Sequence, residues 1–220
     1  MIFVRAKRFA CHAALAVAVG SSAVGSVHAM PPVIKMAPTA GSDVLLVQAR
    51  TNQNTDAQIF FVRGLAHVFS RGMDEMAAKL RAQGFNPQVV GHRQWQATAD
   101  TIAQAYRSGQ TAPIILVGHS LGANNAARMA TRLQGKGVPV AYLATFDPTQ
   151  TFTVPGNVRY FANFYQNNGF GRRASFAPSR HKEKVNLNLT SSPGLNHRNI
   201  DQSRRLQDIV IARVLAITAR

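Results

Sequence analysis

A serine set between two glycines, in Gly118-His119-Ser120-Leu121-Gly122, is the residue of this chain best placed for covalent chemistry. It follows four β-formers, Ile114, Ile115, Leu116 and Val117, and precedes a stretch that opens with the small residues Gly122, Ala123, Ala126 and Ala127. A strand that turns at once into a helix holds the residue at the turn in a strained conformation with its side chain exposed. The flanking glycines are needed because side chains there would strike the neighbouring strand or helix. A serine hydroxyl is barely nucleophilic at neutral pH, so it works only beside a base that takes its proton and a carboxylate that orients the base.

Positioning these groups falls to alternating short apolar runs and helix-length amphipathic stretches, the pattern of a parallel sheet with helical crossovers. Strands are predicted at 59–62, 88–90, 114–117, 140–144 and 158–165, and helices at 70–83, 97–107 and 120–133. Ser70 stands as N-cap of the first helix, and Gly84 as its stop. Only residues 147–157 separate the fourth and fifth strands, too few for a helical crossover, so none is expected there. A loop rich in Gly, Asn, Ser and Arg covers 166–183. Residues 184–190 then alternate at period two as a last strand, and 200–218 have the periodicity of a closing helix. Before all this, 30–57 reads as a lead-in, with a short edge strand at 44–47.

With the elbow at Ser120 and this order of elements, residues 58–220 resemble the α/β-hydrolase superfamily in its lipase, esterase and thioesterase branches. The resemblance implies a three-layer α/β sandwich, a mostly parallel sheet with helices on both faces and no separate cap domain. It also implies the chain order nucleophile, acid, histidine. Downstream of Ser120 the carboxylates are Asp147, Glu183, Asp201 and Asp208, and the histidines are His181 and His197.

Asp147 stands at a strand end before Pro148, whereas Glu183 lies among lysines and reads as solvated, and Asp201 reads as helix-end electrostatics. The family's acid more often follows the next strand, but 148–182 hold no Asp or Glu, and the sequence resembles the variant that places the acid one strand earlier. His197, between the last strand and the last helix, is where the family presents its base. His181 precedes that strand, and Arg180 and Lys182 would depress its basicity and keep it in solvent. His119 reads as packed beside the site, and His67 and His92 as surface or rim residues.

For the oxyanion the resemblance implies two backbone donors, Leu121 after the nucleophile and either Gly64 or Leu65 after the first strand, where Arg63-Gly64 replaces the family's usual His-Gly. Arg63 either receives an anionic substrate or pairs with a carboxylate, and Phe152, Phe170 and Phe176 are candidates for an acyl pocket. A lid, where there is one, would be the basic loop 169–184.

Composition narrows the setting. Arg5, Lys7 and Arg8, a small apolar run over 9–24 and Val27-His28-Ala29 have the layout of a cleaved secretory signal over 1–29. That run is too short for a membrane span, so no transmembrane segment is expected in the mature chain. The single cysteine, Cys11, lies inside the signal, which excludes disulfides and thiolate chemistry from the mature chain. No cluster has metal-ligand spacing, and neither a metal nor another cofactor is expected.

Of 25 basic residues, 22 remain beyond the signal against 9 acidic ones, a net charge of +13. Such a field favours anionic partners. The basic residues are scattered without interleaved aromatics, which argues against nucleic acid and for an anionic envelope surface.

Together these readings predict a secreted or periplasmic serine hydrolase that cleaves a small-molecule or lipid carboxylic ester through an acyl-enzyme. Carboxylic ester stands ahead of thioester because acyl-CoA and carrier-bound acyl groups are cytoplasmic. The alternatives are a thioesterase of the same fold and a non-catalytic envelope protein that keeps the fold and holds anionic polymer.

Overall fold

Six strands pair side by side, all parallel, in the computed structural model, which describes residues 55–65, 70–179 and 181–219. They are β1 (Gln58–Arg63), β2 (Gln88–Gly91), β3 (Ile114–His119), β4 (Val140–Phe146), β6 (Val158–Tyr165) and β8 (Glu183–Asn188), in the order β2-β1-β3-β4-β6-β8. The predicted signal, the edge strand at 44–47 and most of the lead-in lie outside the described residues.

Covering on both faces explains why the central strands read as continuous apolar runs. Odd positions of β1 and β3 (Ile59, Phe61, Ile115, Val117) pack with Met73, Met76 and Leu80 of α1 (Arg71–Arg81) and Val210 and Val214 of α4 (Arg204–Thr218). Even positions (Phe60, Val62, Ile114, Leu116) pack with Ala99 and Ile102 of α2 (Trp95–Arg107) and Ala126, Met129 and Leu133 of α3 (Leu121–Gln134). The result is the predicted three-layer sandwich, and no connection between its described strands is long enough to form a cap domain.

Register brings the site's supports into line. Val62, Gly118, Thr145, Asn163 and Asn186 are successive partners across β1, β3, β4, β6 and β8. Being neighbours in one row, the last three can join: Thr145 Oγ1 donates to Asn163 Oδ1 at 2.9 Å, and Asn163 Nδ2 donates to Asn186 Oδ1 at 3.0 Å. Asn163 Nδ2 also reaches the Arg172 carbonyl at 2.9 Å, and Asn186 exchanges bonds with the Ala174 backbone. The segment expected as a basic lid is thus tacked to the sheet at 172–174.

Three expectations need correction. Short strands β5 (Thr153–Val154) and β7 (Ser175–Phe176) pair in a separate parallel ribbon, and two residues are too few to show a period. The closing helix does not begin at Ile200: a 3-10 turn (Ile200–Gln202) comes first, and Ser203, with ψ 111°, breaks the chain before α4. Ser70 makes no side-chain cap on α1, because its hydroxyl is engaged with the sheet instead.

Candidate active site

Ser120 stands between β3 and α3 with φ 57° and ψ −124°, a conformation that strains an L-residue. Its surroundings admit no side chain on either flanking glycine. A Cβ on Gly118 would lie 2.4 Å from the Gly122 carbonyl oxygen, and one on Gly122 would lie 2.1 Å from that of Val62. The Ser120 N–H donates to the Phe146 carbonyl at 2.8 Å, which pins the turn to the end of β4.

The next residue after that carbonyl is Asp147, also at positive φ (45°) and fully buried. Its N–H continues the pairing of β4 with β6 through the Phe164 carbonyl at 2.8 Å. Oδ1 accepts the Gln166 N–H at 2.7 Å, and Oδ2 lies 3.1 Å from His197 Nδ1. Gly171 closes over the carboxylate so tightly that a Cβ there would be 2.2 Å from Oδ1.

His197 comes from the turn between β8 and the 3-10 segment, a turn held by Gln166 Nε2 donating to the Leu195 carbonyl at 3.0 Å. Its Nε2 is 2.9 Å from Ser120 Oγ. Because a carboxylate only accepts, Nδ1 carries the proton toward Asp147 and Nε2 offers its lone pair to the serine hydroxyl. Nucleophile, base and orienting acid are therefore aligned in the sense that proton abstraction requires.

Around these three, Leu121 is the first residue of α3, where no preceding turn claims its N–H. The Gly64 N–H, one of two alternatives for the second oxyanion donor, is taken by Ser70 Oγ at 2.9 Å. Gly64 nevertheless borders the nucleophile, since a Cβ on it would be 3.1 Å from the Ser120 Cβ. Arg63 pairs with Asp74 of α1 through Nε at 3.0 Å and a closer Nη2 contact, the carboxylate pairing that was one of its two alternatives.

Phe170 lies 4.7 Å, centroid to centroid, from the His197 ring and is 63% exposed, as is Leu65, so two large apolar groups rim the site. Phe152 and Phe176 pack edge-on against Phe161, in the core on the α2–α3 face of the sheet. His181 is not solvated as expected: Nδ1 meets the Val158 carbonyl at 2.7 Å. His92 follows β2, where its carbonyl accepts from Asn125 Nδ2 at 2.7 Å, and His67 lies outside the described residues.

Sequence reasoning gives no notice of Gln166 and Gly171. The first acts through a backbone N–H that any residue carries and an amide that reaches carbonyls 23 and 29 positions away, and the second through the absence of a side chain. Among the described residues no group of three His, Cys, Asp or Glu could hold a metal, and no helix is long and apolar enough to cross a membrane.

The model of the thioesterase-domain family matches residues 77–160, a stretch that includes Ser120 and Asp147 but not His197. Among solved structures, the NocB thioesterase domain from the nocardicin cluster is 12% identical over 73% of this chain and 94% of its own, with a TM-score of 0.41. The SrfTE thioesterase domain, which cyclizes surfactin, is 13% identical over 78% of this chain and 94% of its own, with a TM-score of 0.41. Trichoderma reesei cutinase is 13% identical over 82% of this chain and 85% of its own, with a TM-score of 0.38. Likenesses so distant are of shape alone. No curated protein matches the chain. The all-parallel sheet with helices on both faces and the strand–Ser120–helix elbow give the chain an α/β-hydrolase-like fold, and its match over 77–160 is to the thioesterase-domain family.

Proposed function

We propose that the protein is a serine hydrolase that cleaves a carboxylic ester through an acyl-enzyme, in the periplasm or outside the cell. The observation that carries this reading is the alignment Ser120 Oγ, His197 Nε2, His197 Nδ1, Asp147 Oδ2, at 2.9 and 3.1 Å, on a strained elbow.

As Ser120 Oγ attacks the carbonyl carbon, His197 Nε2 takes its proton, and the imidazolium is held by Asp147, which stays ionised. The oxyanion forms against the N–H groups of Leu121 and Leu65. Collapse breaks the carbon–oxygen bond, with the alcohol leaving on the proton from His197. Water then attacks the acyl-Ser120 ester with the same imidazole as base, which releases the acid and restores the serine. Leu65 and Phe170 offer apolar surface to the acyl or alcohol group, and the +13 charge of the chain beyond its signal favours an anionic envelope as the setting.

A thioester is the second reading, favoured by the family match over 77–160. Labelling by a fluorophosphonate probe tests the mechanism: wild type should label and Ser120→Ala should not, and equal behaviour of the two would refute it. Turnover of p-nitrophenyl esters of rising chain length, set against the matching acyl-thiol esters, decides the leaving group.

A further inference from the structure

Behind the serine lies a second, buried set of polar groups that the reaction does not use: Ser70, His119 and Asp201, each 1% exposed or less. Their arrangement is not that of another hydrolytic triad. In a triad the serine and the carboxylate sit on opposite ring nitrogens, whereas here Ser70 Oγ (3.0 Å) and Asp201 Oδ2 (3.9 Å) both lie toward His119 Nδ1. The opposite nitrogen, Nε2, is 2.8 Å from the backbone carbonyl of His197.

Directions of donation follow from what each group can do. The His197 carbonyl only accepts, so His119 Nε2 carries a proton. Burial pushes His119 down to about 4, so its imidazole is neutral and, with the proton on Nε2, Nδ1 accepts from the Ser70 hydroxyl, whose oxygen in turn accepts the Gly64 N–H. One chain of bonds therefore runs Gly64 N–H to Ser70 O–H to His119 and on to the carbonyl of His197.

Resting on the reading of His197 as base, we propose that His119 and Ser70 are positioning residues. They suspend the backbone of the base from the residue next to the nucleophile and tie it to the strand end that carries the second oxyanion donor. Adjacent residues thus hold His197 at two points: Ser120 meets its ring at 2.9 Å, and His119 meets its carbonyl at 2.8 Å. A base held by its own main chain cannot drift from the serine without breaking both.

The test compares His119→Leu, which removes the donor, with His119→Gln, whose Nε2 amide can still reach the carbonyl. In the leucine variant kcat for a p-nitrophenyl ester should fall about 10- to 100-fold with KM unchanged, the scale of an ångström-level misplacement of a catalytic group. The glutamine variant should recover kcat to within about threefold of wild type, since it keeps the bond that orients the base.

A leucine variant with wild-type kcat, or a glutamine variant as slow as the leucine one, overturns the proposal. Where His119→Leu does not fold, Ser70→Ala decides instead: a severalfold lower kcat at unchanged KM supports the proposal, and an unchanged kcat overturns it. Ser120→Ala separates the two readings. Full activity in that variant overturns the hydrolase mechanism and this inference with it, while an inactive Ser120→Ala beside an unaffected His119→Leu overturns this inference alone.

Discussion

Asp201→Asn should make the protein more stable relative to wild type as pH rises. The Asp201 side chain is fully buried, with Oδ2 accepting the Gly72 N–H at 3.0 Å and Oδ1 without a partner among the described residues. Burial pushes its carboxyl from 3.8 up to about 7, Glu75 and Asp74 add to the rise, and the Gly72 bond opposes it. Between these two values the unfolded chain carries an ionised Asp201 while the folded protein keeps it protonated. Folding then takes up a proton, and its contribution to stability, complete below pH 3.8, is lost as pH rises through about 7 and changes little above that.

The span between the two values is roughly 3 pH units, which at about 1.4 kcal/mol per unit gives about 4 kcal/mol as the upper end of the effect. Asparagine does not titrate, and its Oδ1 can still accept from Gly72. Urea or thermal unfolding of both proteins at several pH values from 4 to 8.5 measures the difference, in which all shared carboxylates cancel. For a domain of this size 4 kcal/mol corresponds to roughly 8–16 °C in Tm. A stability difference independent of pH, or one that shrinks toward high pH, would refute the reasoning.

Asp147→Asn should lower kcat by about 10²- to 10⁴-fold, because an amide cannot hold the imidazolium, while Gln166 N–H can still bond its oxygen and unfolding should be little changed. Gly171→Ala places a Cβ 2.2 Å from Asp147 Oδ1, so steady-state assay should find kcat lowered roughly tenfold or more through displacement of the acid, with Ser120 still present. Gly122→Ala sets a Cβ 2.1 Å from the Val62 carbonyl, and because backbone cannot swing aside, chemical unfolding should report a loss of about 1–3 kcal/mol or more.

Much of the fold is legible in the chain because its signals are local. The unbroken apolar runs at 59–62 and 114–117 reflect a sheet covered by helices on both faces. The elbow is legible for the same reason: the residues that require glycine at 118 and 122 are near neighbours in sequence or on the adjoining strand. Asp147 and His197 stand out because downstream carboxylates and histidines are few, and the fold brings the end of β4 and the turn after β8 together across a separation of 50 positions.

Whatever rests on distant partners with no period was open until the chain closed. The partner of Arg63, Asp74 of α1, and the acceptor of the Gly64 N–H, Ser70 Oγ, are visible only in the folded chain. Asp201 reads as a helix end, yet packing drives it onto Gly72, 129 positions away, where it is desolvated. Spacing determines which faces a segment buries, but only tertiary packing determines which polar groups are left to satisfy one another inside. For that reason the sequence by itself marks out the sheet, the elbow and Ser120, while the folded chain alone decides what holds His197 against it.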